Sequence, residues 1–171
     1  MNNVYKIKKN LQIPMILATL ISIPVFLDVI MSGFEFSILL MAILLMILFY
    51  LLTLNNLMRK IWITDTALTV RSILGSRKIP VDDIVRVDGI VMGSRQFIAL
   101  STKKKSYLIP NSFADFSAII SDLQAVVKEE TVGPGLNTVK ENIIVRKSDI
   151  TGAWITVILL FIIIIIRFFP R

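Results

Sequence analysis

The sequence predicts an α+β membrane protein. Three features predict it: three long uncharged apolar stretches, a polar segment with strand periodicity between the second and third, and one helical apolar stripe closing that segment. Leu11–Leu27, Phe36–Leu54 and Ala153–Ile166 contain no Asp, Glu, Lys or Arg. Of the 171 residues, 55% are hydrophobic, above the share usual in globular domains.

Residues 1–10 form a basic N-terminal flank carrying Lys6, Lys8 and Lys9. Residues 11–57 supply two spans, since roughly 20 apolar residues cross about 30 Å of hydrocarbon. Bases before an apolar run also mark secretory signals, but no small-x-small cleavage site follows Leu11–Leu27, so the first span reads as a retained anchor. Pro14 and Pro24 fall near its ends, where the missing donor disturbs fewer hydrogen bonds. The third span, 152–169, reaches full length when Arg167 snorkels and Phe168–Phe169 sit at the interface.

Lys6, Lys8 and Lys9, Arg59 and Lys60, and Arg146 and Lys147 flank the spans on one side, whereas the turn between the first two carries only Asp28 and Glu35. The positive-inside rule therefore predicts a multi-pass protein of the plasma membrane with its N-terminus and the Arg59–Asp149 segment in the cytoplasm. The C-terminus, with Arg167 and Arg171, falls outside, against the rule but outnumbered.

From Lys60 the pattern changes to short alternating runs. Lys60–Thr64 and Ala67–Ser72 read as strands joined at Asp65–Thr66, with Leu68 and Val70 opposed to Thr69 and Arg71. Arg77–Val81 follows the Gly75–Ser76 turn, and Pro80 marks it as an edge strand. Ile84–Val91 sets Val85, Val87 and Val91 against Arg86 and Asp88. After the break at Gly93–Ser94, Gln96–Ser101 and Ser106–Ile109 form a hairpin around Lys103–Lys105. The period then becomes helical: Phe113, Phe116, Ile119, Ile120, Leu123, Val126 and Val127 form one stripe over Phe113–Glu129, with Ser112 and Asp115 as a capping pair. Gly133–Pro134–Gly135 ends that helix and opens a linker, 131–151. Within the linker, 138–146 reads either as a last strand centred on Ile143–Ile144–Val145 or as the approach to the third span.

The run Trp62-Ile-Thr-Asp-Thr-Ala-Leu-Thr-Val-Arg71, then Arg77-Lys-Ile-Pro-Val-Asp-Asp-Ile84, and later Ile109-Pro-Asn-Ser-Phe-Ala-Asp-Phe-Ser-Ala-Ile-Ile-Ser-Asp-Leu123, resembles the bacterial pleckstrin-homology-like (PH-like) domains of small membrane proteins. The resemblance covers 59–130. It implies a PH-like antiparallel β-barrel or sandwich with a C-terminal capping helix, here followed by a third transmembrane helix that is less typical of the group.

No cysteine and no histidine is present, which removes thiol nucleophiles, thiolate and imidazole metal sites, and the commonest general base. The sequence therefore points to a protein that is no enzyme, with no catalytic, cofactor or metal residues. Asp82–Asp83 reads as a turn opening a strand rather than a carboxylate pair. From Arg71 to Lys105 there are eight bases and three acids, and from Ser106 to Asp149 four bases and six acids. The basic half supplies the candidate binding residues for anionic lipid or a partner: Arg77, Lys78, Lys103, Lys104 and Lys105. No stacking motif is interleaved with these bases, so nucleic acid is not an expected partner. Trp62 reads as barrel core and Trp154 as interfacial. The expected role is a membrane-tethered adaptor binding membrane lipids or an unspecified membrane or cytoplasmic protein. The alternative, implied by the same resemblance, is an immunity or accessory protein protecting against a membrane-active bacteriocin, alone or with an export complex.

Overall fold

Alternating side chains in short runs produce two antiparallel sheets, and the uncharged stretches produce three long helices. The computed structural model of the protein describes residues 2–93, 95–144 and 147–169. The sequence readings that involve Ser94, Val145, Arg146 and Arg171 fall outside them. Two units result, one of residues 2–8 and 58–144, the other of residues 9–57 and 147–169.

In the first unit, β1 (Asn2–Lys6), β2 (Lys60–Thr64), β3 (Ala67–Ser72) and β4 (Gly75–Pro80) form a sheet in that order. A second sheet holds β5 (Ile84–Met92), β6 (Arg95–Thr102) and β7 (Ser106–Pro110). The strands form two separate sheets, not a closed barrel. Pro80 does end an edge strand, where its missing donor goes unneeded. The strand β1 is not visible in the sequence, because Asn-Asn-Val-Tyr-Lys is short, polar and more than fifty residues from its partner. It is fixed by pairing, Tyr5 opposite Ile61 and Lys6 opposite Lys60.

The core comes from alternate positions: Ile61, Ile63 and Leu68 in one sheet, Val87, Ile98 and Leu100 in the other, each at most 1% exposed. Trp62 departs from expectation. Lying between Ile61 and Ile63, it projects to the opposite face of β2 and stays half-buried. Val85 also departs, because a register shift between Ile84 and Arg86 turns both Ile84 and Val87 inward and leaves Val85 exposed.

The stripe helix, α3 (Phe116–Val126), is shorter than the periodicity suggests. Beyond β1, Ile7 bridges to Phe113, the Lys8 amide donates to the Ser112 carbonyl (3.1 Å) and the Ala114 amide donates to the Lys6 carbonyl (2.8 Å). This pairing pulls 112–114 out of the helix. The chain then enters α3 through Asp115 at φ 51°, and no side-chain hydrogen bond caps the helix, so the Ser112–Asp115 capping pair does not form. Phe116, Ile119, Ile120 and Leu123 are buried as expected.

Gly133–Pro134–Gly135 is not the start of a linker. It begins α4 (Pro134–Glu141), with Pro134 in the first turn, where a missing amide costs nothing. The helix buries Leu136 and Val139 and packs on β5. The approach is close enough that a Cβ at Gly89 would lie 2.1 Å from the Gly135 carbonyl oxygen. Ile143 and Ile144 then run on without strand pairing.

One polar contact joins β1 to α3. Asp122, 6% exposed, accepts from the Tyr5 hydroxyl and from Asn3 Nδ2 at 2.7 Å. Burial, and then the bond to Asp122, push the Tyr5 phenol up to about 12 from 10.0. Since the folded value lies above the unfolded one, this contribution is present below pH 10 and is lost as pH rises toward 12. Tyr5→Phe is expected to lower stability at neutral pH by roughly 1–3 kcal/mol and to flatten the alkaline loss. Denaturant unfolding of the full chain at pH 7 and pH 11 checks both; an equal alkaline loss in wild type and variant would show that Tyr5 is not its source.

In the second unit, α1 (Lys9–Met31), α2 (Phe36–Met58) and α5 (Lys147–Phe168) are each long and apolar enough to cross a membrane. The third is eight residues longer than its uncharged stretch, because Lys147–Gly152 and Arg167–Phe168 join the helix. Buried positions on α1 are Pro14, Ala18 and Ser22, four residues apart, and α1 packs against α5. Small residues at that spacing let helix backbones approach closely where no hydrophobic drive exists. Ser22 Oγ meets the Tyr50 hydroxyl of α2 at 3.0 Å. Arg167, the base that counted against the predicted orientation, donates to Asp28 Oδ2 (2.7 Å) and to Ser32 Oγ (2.8 Å), so its charge is matched by the acid at the far end of α1.

Candidate functional site

The β6–β7 turn is built by Thr102. Its amide and hydroxyl both donate to the Lys105 carbonyl at 2.8 Å, and its Oγ1 accepts the Lys105 amide at 3.1 Å and the Lys104 amide at 3.4 Å. These bonds occupy the Thr102, Lys104 and Lys105 amides and leave the side chains of Lys103, Lys104 and Lys105 exposed at the tip, where they present ammonium groups to an anion.

Across from the turn runs the end of β4. Lys78, Ile79 and Pro80, with Asp83 from the short 3-10 turn Val81–Asp83, form the other wall of a cleft of about 300 Å³. Tyr107 of β7 lines it as well. The structure thus brings together four of the five sequence-selected residues, Lys78 and Lys103–Lys105, from different sheets. Arg77 is not in this group: it lies further back from the Pro80 end of β4 and does not line the cleft. Four lysines against one carboxylate leave a formal charge of +3. Asp82 and Asp83 are exposed on the 3-10 turn, as the turn reading expected.

The sequence does not single out Tyr107, and it marks Asp83 only as part of a turn. Their place in the cleft depends on how the two sheets meet, and only the edge signal of Pro80 pointed toward this corner. A second, shallower depression of about 530 Å³ lies on the outer face of the first sheet around Trp62, Thr69 and Arg71. Among the described residues no group of three or more acidic side chains is placed to hold a metal ion.

The cleft occupies one end of this unit, and the opposite end can be named residue by residue. Lys6 opposite Lys60, the Ser72–Gly75 hairpin tip, and the Lys8–Ser112 contact all lie away from Pro80 along the first sheet. Met92 opposite Arg95, and the Asn111 amide donating to the Gln96 carbonyl, lie away from Thr102 along the second. There the Gln96 side chain donates to the Asn142 carbonyl (2.5 Å) and accepts the Ile144 amide (2.8 Å), while Asn111 Nδ2 donates to the Ile144 carbonyl (2.9 Å). Lys8, Lys60 and Ile144, the residues of this unit described near the three chain crossings, therefore all lie at this end.

Comparison of the chain with protein-family models, with curated proteins and with solved structures finds no match.

Proposed function

We propose that the protein is a non-enzymatic, membrane-tethered adaptor whose PH-like domain, at the cytoplasmic face, offers the Lys78 and Lys103–Lys105 cleft to an acidic protein partner. The observation that carries this reading is the position of the cleft at the end of the domain remote from the three chain crossings. Six residue steps at roughly 3.3 Å each put about 20 Å between Gln96 and Thr102 along β6. That exceeds two Debye lengths of about 8 Å at physiological salt, so the lysines are screened from charges at the other end of the domain and are left to meet an acidic partner.

The order of strands followed by an apolar-striped helix supports the PH-like assignment. The seven flanking positives support the cytoplasmic side, and the pairing of β1 with β2 supports a first hairpin that crosses twice and returns to the same side. Exposed ion pairs contribute about 0–1 kcal/mol each, so four lysines hold a partner only weakly. Tethering compensates by raising the local concentration for membrane-bound partners to about the millimolar range.

A photocrosslinking amino acid at position 104 of the full-length protein in cells tests this. A protein adduct that disappears on Lys78→Glu with Lys103→Glu is the expected result. Adducts only to lipid would transfer the site to the anionic leaflet, and an adduct indifferent to charge reversal would remove the lysines from the function.

A further inference from the structure

The end of the domain nearest the chain crossings carries two hairpin tips of a different character from the lysine turn. Leu74, at the tip between β3 and β4, is 91% exposed, the highest value of any large apolar side chain described. At the head of the β5–β6 hairpin, Val91 is 51% and Met92 62% exposed. Gly75 at φ 113° and Gly93 at φ 60° supply the left-handed residues that let both tips turn tightly. Single exposed apolar residues are ordinary on protein surfaces. Here two separate tips expose them at the same end, while the turns at the other end, Asp65–Thr66 and Lys103–Lys105, are polar.

The surrounding charge is mainly basic. Lys6, Arg71 and Arg95 are exposed at this end and Lys60 is half-buried beside them, against the exposed acids Asp115 and Glu141. Chain reach adds the third constraint. Only Arg59 separates the apolar α2 from β2, and Lys60 is paired with both Lys6 and Arg71. At no more than about 3.6 Å per residue, the strand end that carries the β3–β4 tip stays within a few residues' reach of the end of α2. Exposed apolar side chains at an end with an excess of bases suit the boundary between acyl chains and anionic headgroups.

We propose that Leu74 and the Val91–Met92 pair embed in an anionic lipid leaflet, so that two hairpin tips anchor this domain to the membrane surface. The inference is independent of what the cleft binds.

The chain contains no cysteine, so single-cysteine variants report one position each. Leu74→Cys, Met92→Cys and, for comparison, Lys104→Cys are labelled with an environment-sensitive fluorophore in the full-length protein. Each is placed in nanodiscs containing an anionic phospholipid. At 74 and 92 the probe is expected to be blue-shifted, severalfold less quenched by aqueous iodide than at 104, and strongly quenched by spin-labelled lipid. Iodide quenching at 74 and 92 equal to that at 104 would overturn the proposal. Shielding from both quenchers would also overturn it, by showing that a protein surface, including a second copy of this chain, covers the tips.

Discussion

Gly89→Ala is expected to detach α4 from β5. The added Cβ would lie 2.1 Å from the Gly135 carbonyl oxygen, 2.6 Å from its carbon and 2.7 Å from Val139 Cγ2. The first two are backbone atoms held by the turn into α4, where the Gly133 amide donates to the Val87 carbonyl at 2.7 Å. Neither can swing aside as a flexible side chain would. Relief requires the helix to lift, exposing Leu136 and Val139, which are 0% and 1% exposed. Re-exposing two such side chains costs about 1.5–3 kcal/mol each, a large fraction of the roughly 5–15 kcal/mol that holds a domain folded. Hydrogen exchange of the full chain in detergent or nanodiscs reads this directly, as loss of amide protection across 134–141. Gly152→Ala is the control, since nothing lies within 4 Å of a Cβ there and alanine favours helix. Native protection of α4 in Gly89→Ala would show that the observed approach is not required.

Replacing Gln96 by Glu is expected to release the segment that leads into α5. The Gln96 amide, 1% exposed, acts as a short piece of strand, donating to Asn142 and accepting from Ile144. A carboxylate keeps the acceptor but faces the Asn142 carbonyl with no proton to donate. Losing a buried donor costs about 1–3 kcal/mol, more when a charge is buried in its place. Protonation restores a donor, and burial raises the folded-state pKa of the new Glu. The variant's deficit is therefore greatest at neutral pH and shrinks as pH falls through that raised value. Limited trypsin digestion is expected to cut faster after Lys140, Arg146 or Lys147 in Gln96→Glu than in wild type at pH 7.5. Hydrogen exchange at 142–144 at pH 7 and pH 5 follows the recovery. Unchanged cleavage and exchange at neutral pH would show that Asn111 alone holds the segment.

The three apolar helices, six of the seven strands, the buried stripe of α3 and the lysines of the β6–β7 turn are all readable along the chain. Each expresses a local rule: a run without charge, an alternation of two, a spacing of three and four, or a turn flanked by strands. Failures occur where a distant segment outvotes the local rule. Ser112 and Asp115 have the composition of a cap, but Ile7 and Lys8 claim the 112–114 backbone first. Gly133–Pro134–Gly135 has the composition of a linker, and its glycines instead admit β5 at a distance no side chain allows. Trp62 looked like core by size, yet its position between two buried isoleucines assigns it the other face.

The same division holds for the candidate site. Sequence alone determined that three stretches are long and apolar enough to span a membrane, that histidine and cysteine chemistry is absent, and that basic charge gathers between Arg71 and Lys105, because these depend on residue types and short spacings. Tertiary structure alone decided that Lys78 joins Lys103–Lys105 while Arg77 does not, and that the cleft and the apolar tips occupy opposite ends. Those facts depend on register and on the meeting of two sheets, which are set by contacts between residues far apart in the chain.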